Sequence, residues 1–314
     1  MTRKLKDLFG RDKLVTSLPS TKSVLGVKGC RCAPDLALET KHPTMRTTLR
    51  TSIGLLAGAV LAATAGAQTI SIKGSDTLGA KLVPQLAESF KSKNPSVKFE
   101  IAAEGSSTAF PALANGTAQI GMSSRKAKSE EITAARAKGI KLNEVEACHD
   151  MLTVIVNKNN PVKGLTKDQV AKIFTGQVKD WSEVGGTPGP ISIYTRNTSS
   201  GTYKDWQSLA MKGRDYPSNS QKMAGNEQIA QEVAKNKNGI GYVGLAYSKA
   251  SGIHTVTIDG VQPVAANAKT FAYSRACYLY VPENADATVK AFVDFVTSAE
   301  GQAIAQRIGF VPNH

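Results

Sequence analysis

From Gln68 onward the chain alternates between two hydrophobic periods. Thr69-Ile70-Ser71-Ile72 places apolar residues at every second position and stops at Gly74, the period of a half-buried strand. Leu78, Leu82, Val83, Leu86 and Phe90 then recur at helical spacing, which puts them on one face of a helix that Asn94-Pro95 ends. Val97–Ile101 alternates again, Phe110 and Leu113 fall on a short helix, 118–122 reads as a third strand, and 130–138 as a helix closed by Gly139. This strand–helix order predicts an open, largely parallel sheet. A second block of the same kind follows: helix 167–174, strand 191–195, helices 202–211 and 227–235, strand 239–243. Two runs, Met151–Asn157 and Cys277–Pro282, are almost continuously apolar. Beyond the second lies an amphipathic helix, 287–297, with Val289, Phe292, Val293 and Val296 on one face.

The economical arrangement is an α/β protein of two lobes, each an open mixed sheet flanked by helices, joined by two extended crossovers. Lobe 1 is expected to take 68–152 and 278–314, and lobe 2 to take 153–277. A chain of 314 residues suits two cores better than one. A cleft between lobes is where small ligands concentrate.

Upstream of Gln68 the pattern changes character. Met45-Arg46-Thr47-Thr48-Leu49-Arg50 is basic, Ile53–Ala63 is apolar or small throughout, and Thr64-Ala65-Gly66-Ala67 ends in small residues. That is the layout of a secretory signal at 45–67, cleaved after Ala67; the apolar run is too short for the roughly 20 residues of a membrane-spanning helix. Residues 1–44 are expected to be an extension ahead of the true start at Met45. Gln68, not cysteine, follows the cleavage point, so no lipid anchor is expected, and a periplasm is the compartment that suits a soluble, unanchored product.

Charge changes the picture only after processing. The full chain is formally +14, but residues 1–67 hold 11 Lys+Arg and 4 Asp+Glu, which leaves 28 basic and 21 acidic residues, net +7. A modestly basic protein favours anions by long-range attraction. Aromatic residues are only 6% and no stacking motif accompanies the lysines, so nucleic acid is not an expected partner. Cys148 and Cys277 survive processing. In an oxidising compartment they are either a disulfide or two separate buried thiols. The three remaining histidines are scattered and no acidic cluster accompanies them, so no metal and no cofactor is expected.

Three turns share one design. Gly74-Ser75-Asp76-Thr77, Glu104-Gly105-Ser106-Ser107-Thr108 and Arg196-Asn197-Thr198-Ser199-Ser200-Gly201-Thr202 each join a strand to a helix. A helix start offers unpaired N–H groups and partial positive charge, glycine admits close approach, and hydroxyls add donors. Together these are the parts of an oxyanion site. Arg196 adds a two-pronged cationic donor, and Ser124-Arg125 after the 118–122 strand offers further contacts.

These runs resemble a known family. Arg196…Ser200-Gly201-Thr202 looks like the Arg…Ser-Gly-Thr loop of periplasmic phosphate-binding proteins of ABC transporters. Gly74-Ser75-Asp76-Thr77-Leu78 and Gly105-Ser106-Ser107 are similar to that family's first and second phosphate loops. The resemblance implies the two-lobed periplasmic-binding-protein fold. It implies inorganic phosphate held by Thr77, Leu78, Ser106, Arg196, Ser200, Gly201 and Thr202, and delivery to a membrane permease by a non-enzyme; Ser75, Ser124 and Arg125 are further expected contacts, and a monomer is expected. It also places Cys148 and Cys277 at neighbouring crossovers, where a disulfide would staple the hinge. One departure stands out: where the family carries an aspartate after the third strand, this chain has Ser124. Asp76 is the candidate proton acceptor in its place, with Asp150 second.

Gly239-Ile240-Gly241-Tyr242-Val243-Gly244 has dinucleotide-fingerprint spacing, but a helix precedes it and strand residues fill it, the wrong context for a nucleotide loop. The alternatives to phosphate are another oxyanion such as sulfate, molybdate or a phosphonate, a phosphate-ester hydrolase using a serine such as Ser106, or an adhesion role. A hydrolase would need a base or metals beside its serine, and the sequence supplies neither.

Overall fold

In a computed structural model, described here for Gln68–Asn313, the first alternating segment becomes β1 (Gln68–Gly74), with Ile70 and Ile72 fully buried. The expected signal segment and the extension before it lie outside the described residues. The first helical pattern divides into a single turn, α1 (Asp76–Gly79), and α2 (Leu82–Lys93), whose Leu82, Val83, Leu86 and Phe90 face inward. β2 (Val97–Ala102), α3 (Ser106–Ala114), β3 (Ile120–Ser123) and α4 (Ser129–Ala137) complete the block. β4 (Leu142–Asn157) then carries the chain into the second block. That block holds β5 (Gly164–Leu165), α5 (Lys167–Phe174), β6 (Ser192–Arg196), α6 (Gly201–Leu209), β7 (Gln221–Met223), α7 (Asn226–Lys235), β8 (Gly239–Gly244), β9 (Ile253–Thr255) and β10 (Thr257–Ile258). β11 (Ser274–Pro282) returns the chain to α8 (Ala287–Thr297) and α9 (Ala299–Ile308).

The strands run β2-β1-β3-β11-β4-β8-β6-β7, with β9 also on β4. β1 is parallel to β2 and β3, and β6 is parallel to β7 and β8. β11 and β4 are antiparallel to each other and to their other neighbours. The mixed sheet of each lobe follows from this: parallel pairs come from strand–helix–strand crossovers, and the antiparallel strands are the two that pass between lobes.

β4 pairs with β11 from Leu142 to Met151 and with β8 from Leu152 to Val156. One core contains Ile70, Leu86, Met122, Cys148, Cys277 and Phe292. A second contains Met151, Leu152, Phe174, Trp206, Tyr242 and Tyr273. Between them, on directly opposed positions, stand Asp150 and Arg275. A charged pair thus occupies the rung of the crossover strands next to the second core's Met151, in neither core.

Two local features depart from or sharpen the sequence pattern. α9 turns a face poor in large apolar residues inward, Gly301, Gln302, Ile304 and Ala305. Ser298 caps it by accepting from the Gly301 amide at 3.3 Å, and Gln302 Nε2 donates to the carbonyls of Ala147 and Val296 at 2.8 and 2.9 Å. The glycine-rich 239–244 segment is strand β8, buried throughout. A Cβ on Gly241 would lie 2.5 Å from Ile229 Cγ2, so its glycine serves the packing of α7 on the sheet.

Candidate oxyanion site between the lobes

The strand-end turns of the first lobe are laced to one another before they reach a ligand. A Cβ at Gly74, where φ is +135°, would sit 2.1 Å from the Met122 carbonyl, so only glycine fits. The Ser75 amide donates to that carbonyl at 2.8 Å, and the Gly105 amide donates to the Gly74 carbonyl at 2.7 Å. The Ser124 amide donates to Ser106 Oγ at 3.0 Å. These bonds bring Thr77, Ser106 and Ser124, all buried, to one point.

The β6–α6 turn meets them from the second lobe. Ser200 Oγ accepts from the Tyr203 amide at 3.3 Å and caps α6, which directs the N-terminus of α6 toward that of α3. A Cβ on Gly201 would lie 2.4 Å from Ser106 Oγ and 2.7 Å from Ser124 Oγ. The lobes are closed: Thr77 Oγ1 is 3.0 Å from Thr202 Oγ1, Ser124 Oγ is 3.5 Å from Thr202 Oγ1, and Ser106 Oγ is 3.2 Å from Ser124 Oγ. The Ser107 amide donates to the Ser199 carbonyl at 3.1 Å across the same seam. Gly201→Ala is therefore expected to leave each lobe folded and obstruct closure. An overpacking cost of about 1–3 kcal/mol would weaken ligand affinity about tenfold to a hundredfold, measurable by titration calorimetry; unchanged affinity would contradict the contact.

Two arginines flank the hydroxyl ring. Arg196, 1% exposed, donates from Nη2 to the Ala224 carbonyl at 2.7 Å, and its Nη1 lies 3.2 Å from Asp76 Oδ2. Among the described residues the buried Nε has no hydrogen-bond partner, and the buried Nη1 meets Asp76 only as that ion pair. Burial pulls its pKa down, against the support of Asp76. Asp76 Oδ2 also accepts from the Asn226 amide at 3.0 Å and from Asn226 Nδ2 at 2.7 Å, a second clasp between lobes. Arg275 Nη2 donates to Asp150 Oδ2 at 2.9 Å and to Thr202 Oγ1 at 2.9 Å, and Nη1 donates to Asp205 Oδ2 at 3.0 Å. Burial opposes its charge, yet Asp150 and Asp205 hold its pKa above the ordinary value. Burial pushes the Asp205 carboxyl upward, and Arg275 opposes that shift.

Of the residues expected from the sequence, Ser75, Thr77, Leu78, Ser106, Ser124, Arg196, Ser200, Gly201 and Thr202 lie on the turns that converge. Leu78 has its side chain in the first core, so only its backbone is open to a ligand. Arg125 is paired inside the chain. Its Nη1 and Nη2 donate to the Glu131 carboxylate at 2.8 and 2.6 Å, and Nη2 reaches Ser107 Oγ at 3.3 Å. Glu131 stands in the first turn of α4, where it also accepts from the Lys128 amide at 2.8 Å, so its carboxylate ties Arg125 to the start of that helix. Cys148 and Cys277 are buried, free thiols in directly opposed positions.

Arg275, Asp205 and Asn226 were not legible as site residues. A signal existed for the first: Arg275 and Asp150 are charges at the edges of the two apolar runs. Asp205 stands three residues after Thr202 on α6, the same helical face. Asn226 gave no sign beyond its place at a helix start.

A family model described as a PBP superfamily domain matches residues 59–300. The chain is 36% identical over 268 residues to the phosphate-binding protein PstS of Pseudomonas aeruginosa, covering 77% of this chain and 82% of that one. It is 30% identical over 247 residues to PstS of Bacillus subtilis, covering 78% and 80%. The chain belongs to the PstS-like proteins of the PBP superfamily. Among solved structures, a phosphate ABC transporter substrate-binding protein with bound phosphate from Clostridium perfringens superposes with a TM-score of 0.73 at 34% identity, covering 79% of this chain and all of that one. An ABC-type phosphate transport receptor from Vibrio cholerae superposes at 0.64 and 26% identity, covering 77% and 99%. The two-lobed fold expected from the sequence is the fold of this PstS-like family.

Proposed function

We propose that this protein is secreted to a periplasm, closes on inorganic phosphate between its lobes and delivers it to the permease of an ABC importer. The observation that carries the reading is the buried guanidinium of Arg196, whose Nε is without a partner among the described residues, beside a ring of hydroxyls at two facing helix N-termini. Donors left unmet in the interior cost about 1–3 kcal/mol each, and a tetrahedral anion is an acceptor of the right shape. Thr77, Ser106 and Ser124 would donate from the first lobe, and Ser200, Gly201 and Thr202 from the second, with Ser75 and the Leu78 amide completing the first turn. Arg275 would hold Thr77 and Thr202 in place. The relatives carry the names of binding proteins rather than enzymes.

The charges near the site are two guanidinium groups and three carboxylates, Asp76, Asp150 and Asp205. Affinity for a dianion then rests on oriented dipoles, and a carboxylate near the ligand favours an anion that brings a proton. HPO4²⁻ does so and sulfate does not. Asp76 is our assigned acceptor. Asp76→Asn is expected to weaken phosphate about tenfold or more and to let sulfate compete; retained discrimination would move the role to Asp205 or Asp150.

Delivery is tested in cells. Loss of the protein should abolish uptake of labelled phosphate at low external concentration, and the wild-type chain but not Gly201→Ala should restore it. Normal uptake without the protein would remove transport from the reading.

A further inference from the structure

We propose that Cys148 and Cys277 form a disulfide across the two crossover strands, one step from the ion pair that carries Arg275 to the anion site. The inference rests on the secretion part of the reading above. Cys277 is opposed to Cys148, and Arg275 to Asp150, in the same antiparallel ladder. Residues two apart on a strand point to the same face, so thiol pair and ion pair are neighbours on one face of the hinge. Opposed residues in an antiparallel pair have Cα atoms roughly 4.5–5.5 Å apart, inside the window of about 4.4–6.8 Å that a disulfide requires. No other cysteine lies beyond Ala67, so neither sulfur has a competing partner in the processed chain.

Both thiols are fully buried, and burial, with Cys277 beside it, pushes the Cys148 pKa well up. An oxidant has no access to either sulfur in the finished fold, so the bond is made while the chain folds. The two thiols give up two protons and two electrons to a disulfide oxidant of the secretory compartment. That oxidant leaves as two thiols, and one S–S bond remains. The bond encloses the whole second lobe in one loop, and long loops restrict the unfolded chain most. It also fixes the register of the strands at the point from which the lobes pivot, with Arg275 kept opposite Asp150.

The test uses protein exported through its own leader, denatured with an alkylating agent and no reductant. Expected is no label on either cysteine, a linked peptide pair by mass spectrometry, and two labels after reduction. Reduction should lower the Tm by about 10 °C, and the double variant Cys148→Ala/Cys277→Ala should melt near the reduced protein and ignore reductant. Two labels without reductant would overturn the bond. Equal Tm values for oxidised and reduced protein would overturn its role as a staple. Phosphate titration of the same sample keeps the two readings apart. Free thiols in a protein that binds phosphate sink only the disulfide; a linked pair without phosphate binding sinks only the proposed function.

Discussion

Arg275→Ala is expected to lose about 3–5 kcal/mol of folding stability and all measurable phosphate binding. The guanidinium is buried and binds Asp150 and Asp205 while also donating to Thr202. Removing it strands Asp150, which is completely buried, among apolar strands. Denaturant unfolding reads the first effect and calorimetry the second. Arg275→Lys keeps the charge but loses the planar fork that spans Asp150 and Asp205 while reaching Thr202, so it should recover stability more than affinity. Adding Asp150→Asn to Arg275→Ala should restore part of the stability, because the unpaired charge is gone, and none of the binding. Recovery of both together would mean that Arg275 serves the fold alone.

Arg196→Ala is expected to invert that balance. The side chain is as deeply buried, but its ion pair with Asp76 is longer, at 3.2 Å, and its Nε has no partner among the described residues. Asp76 keeps the two Asn226 donors when the arginine is removed. Unliganded stability should therefore change by less than for Arg275→Ala. Phosphate affinity should fall about a thousandfold, near 4 kcal/mol, since the ligand loses its principal cation. Affinity within about threefold of wild type would refute the assignment.

The contrast between the two arginines also marks what a sequence discloses. The Arg196 turn is local: strand, glycine, hydroxyls and helix start are contiguous, so their chemistry is readable from order alone. The same holds for the turns at Gly74 and Gly105. Arg275 owes its position to register, because β11 must pair with β4 before it faces Asp150, and no run of adjacent residues encodes that pairing. Asp205 enters through the approach of α6 to β11, and Asn226 through the docking of one lobe on the other, still further from local pattern. Arg125 is the opposite case. Its partner Glu131 is six residues on, and an anion-centred reading passed over a pairing inside the chain. α9 escaped because glycine, alanine and a buried glutamine replace the large apolar residues on which periodicity depends.

Calorimetric titration of the secreted protein with phosphate, repeated in excess sulfate, tests the central claim most directly. The account predicts one tight site per chain whose affinity sulfate leaves unchanged. No phosphate heat, or equal displacement by sulfate, would contradict it.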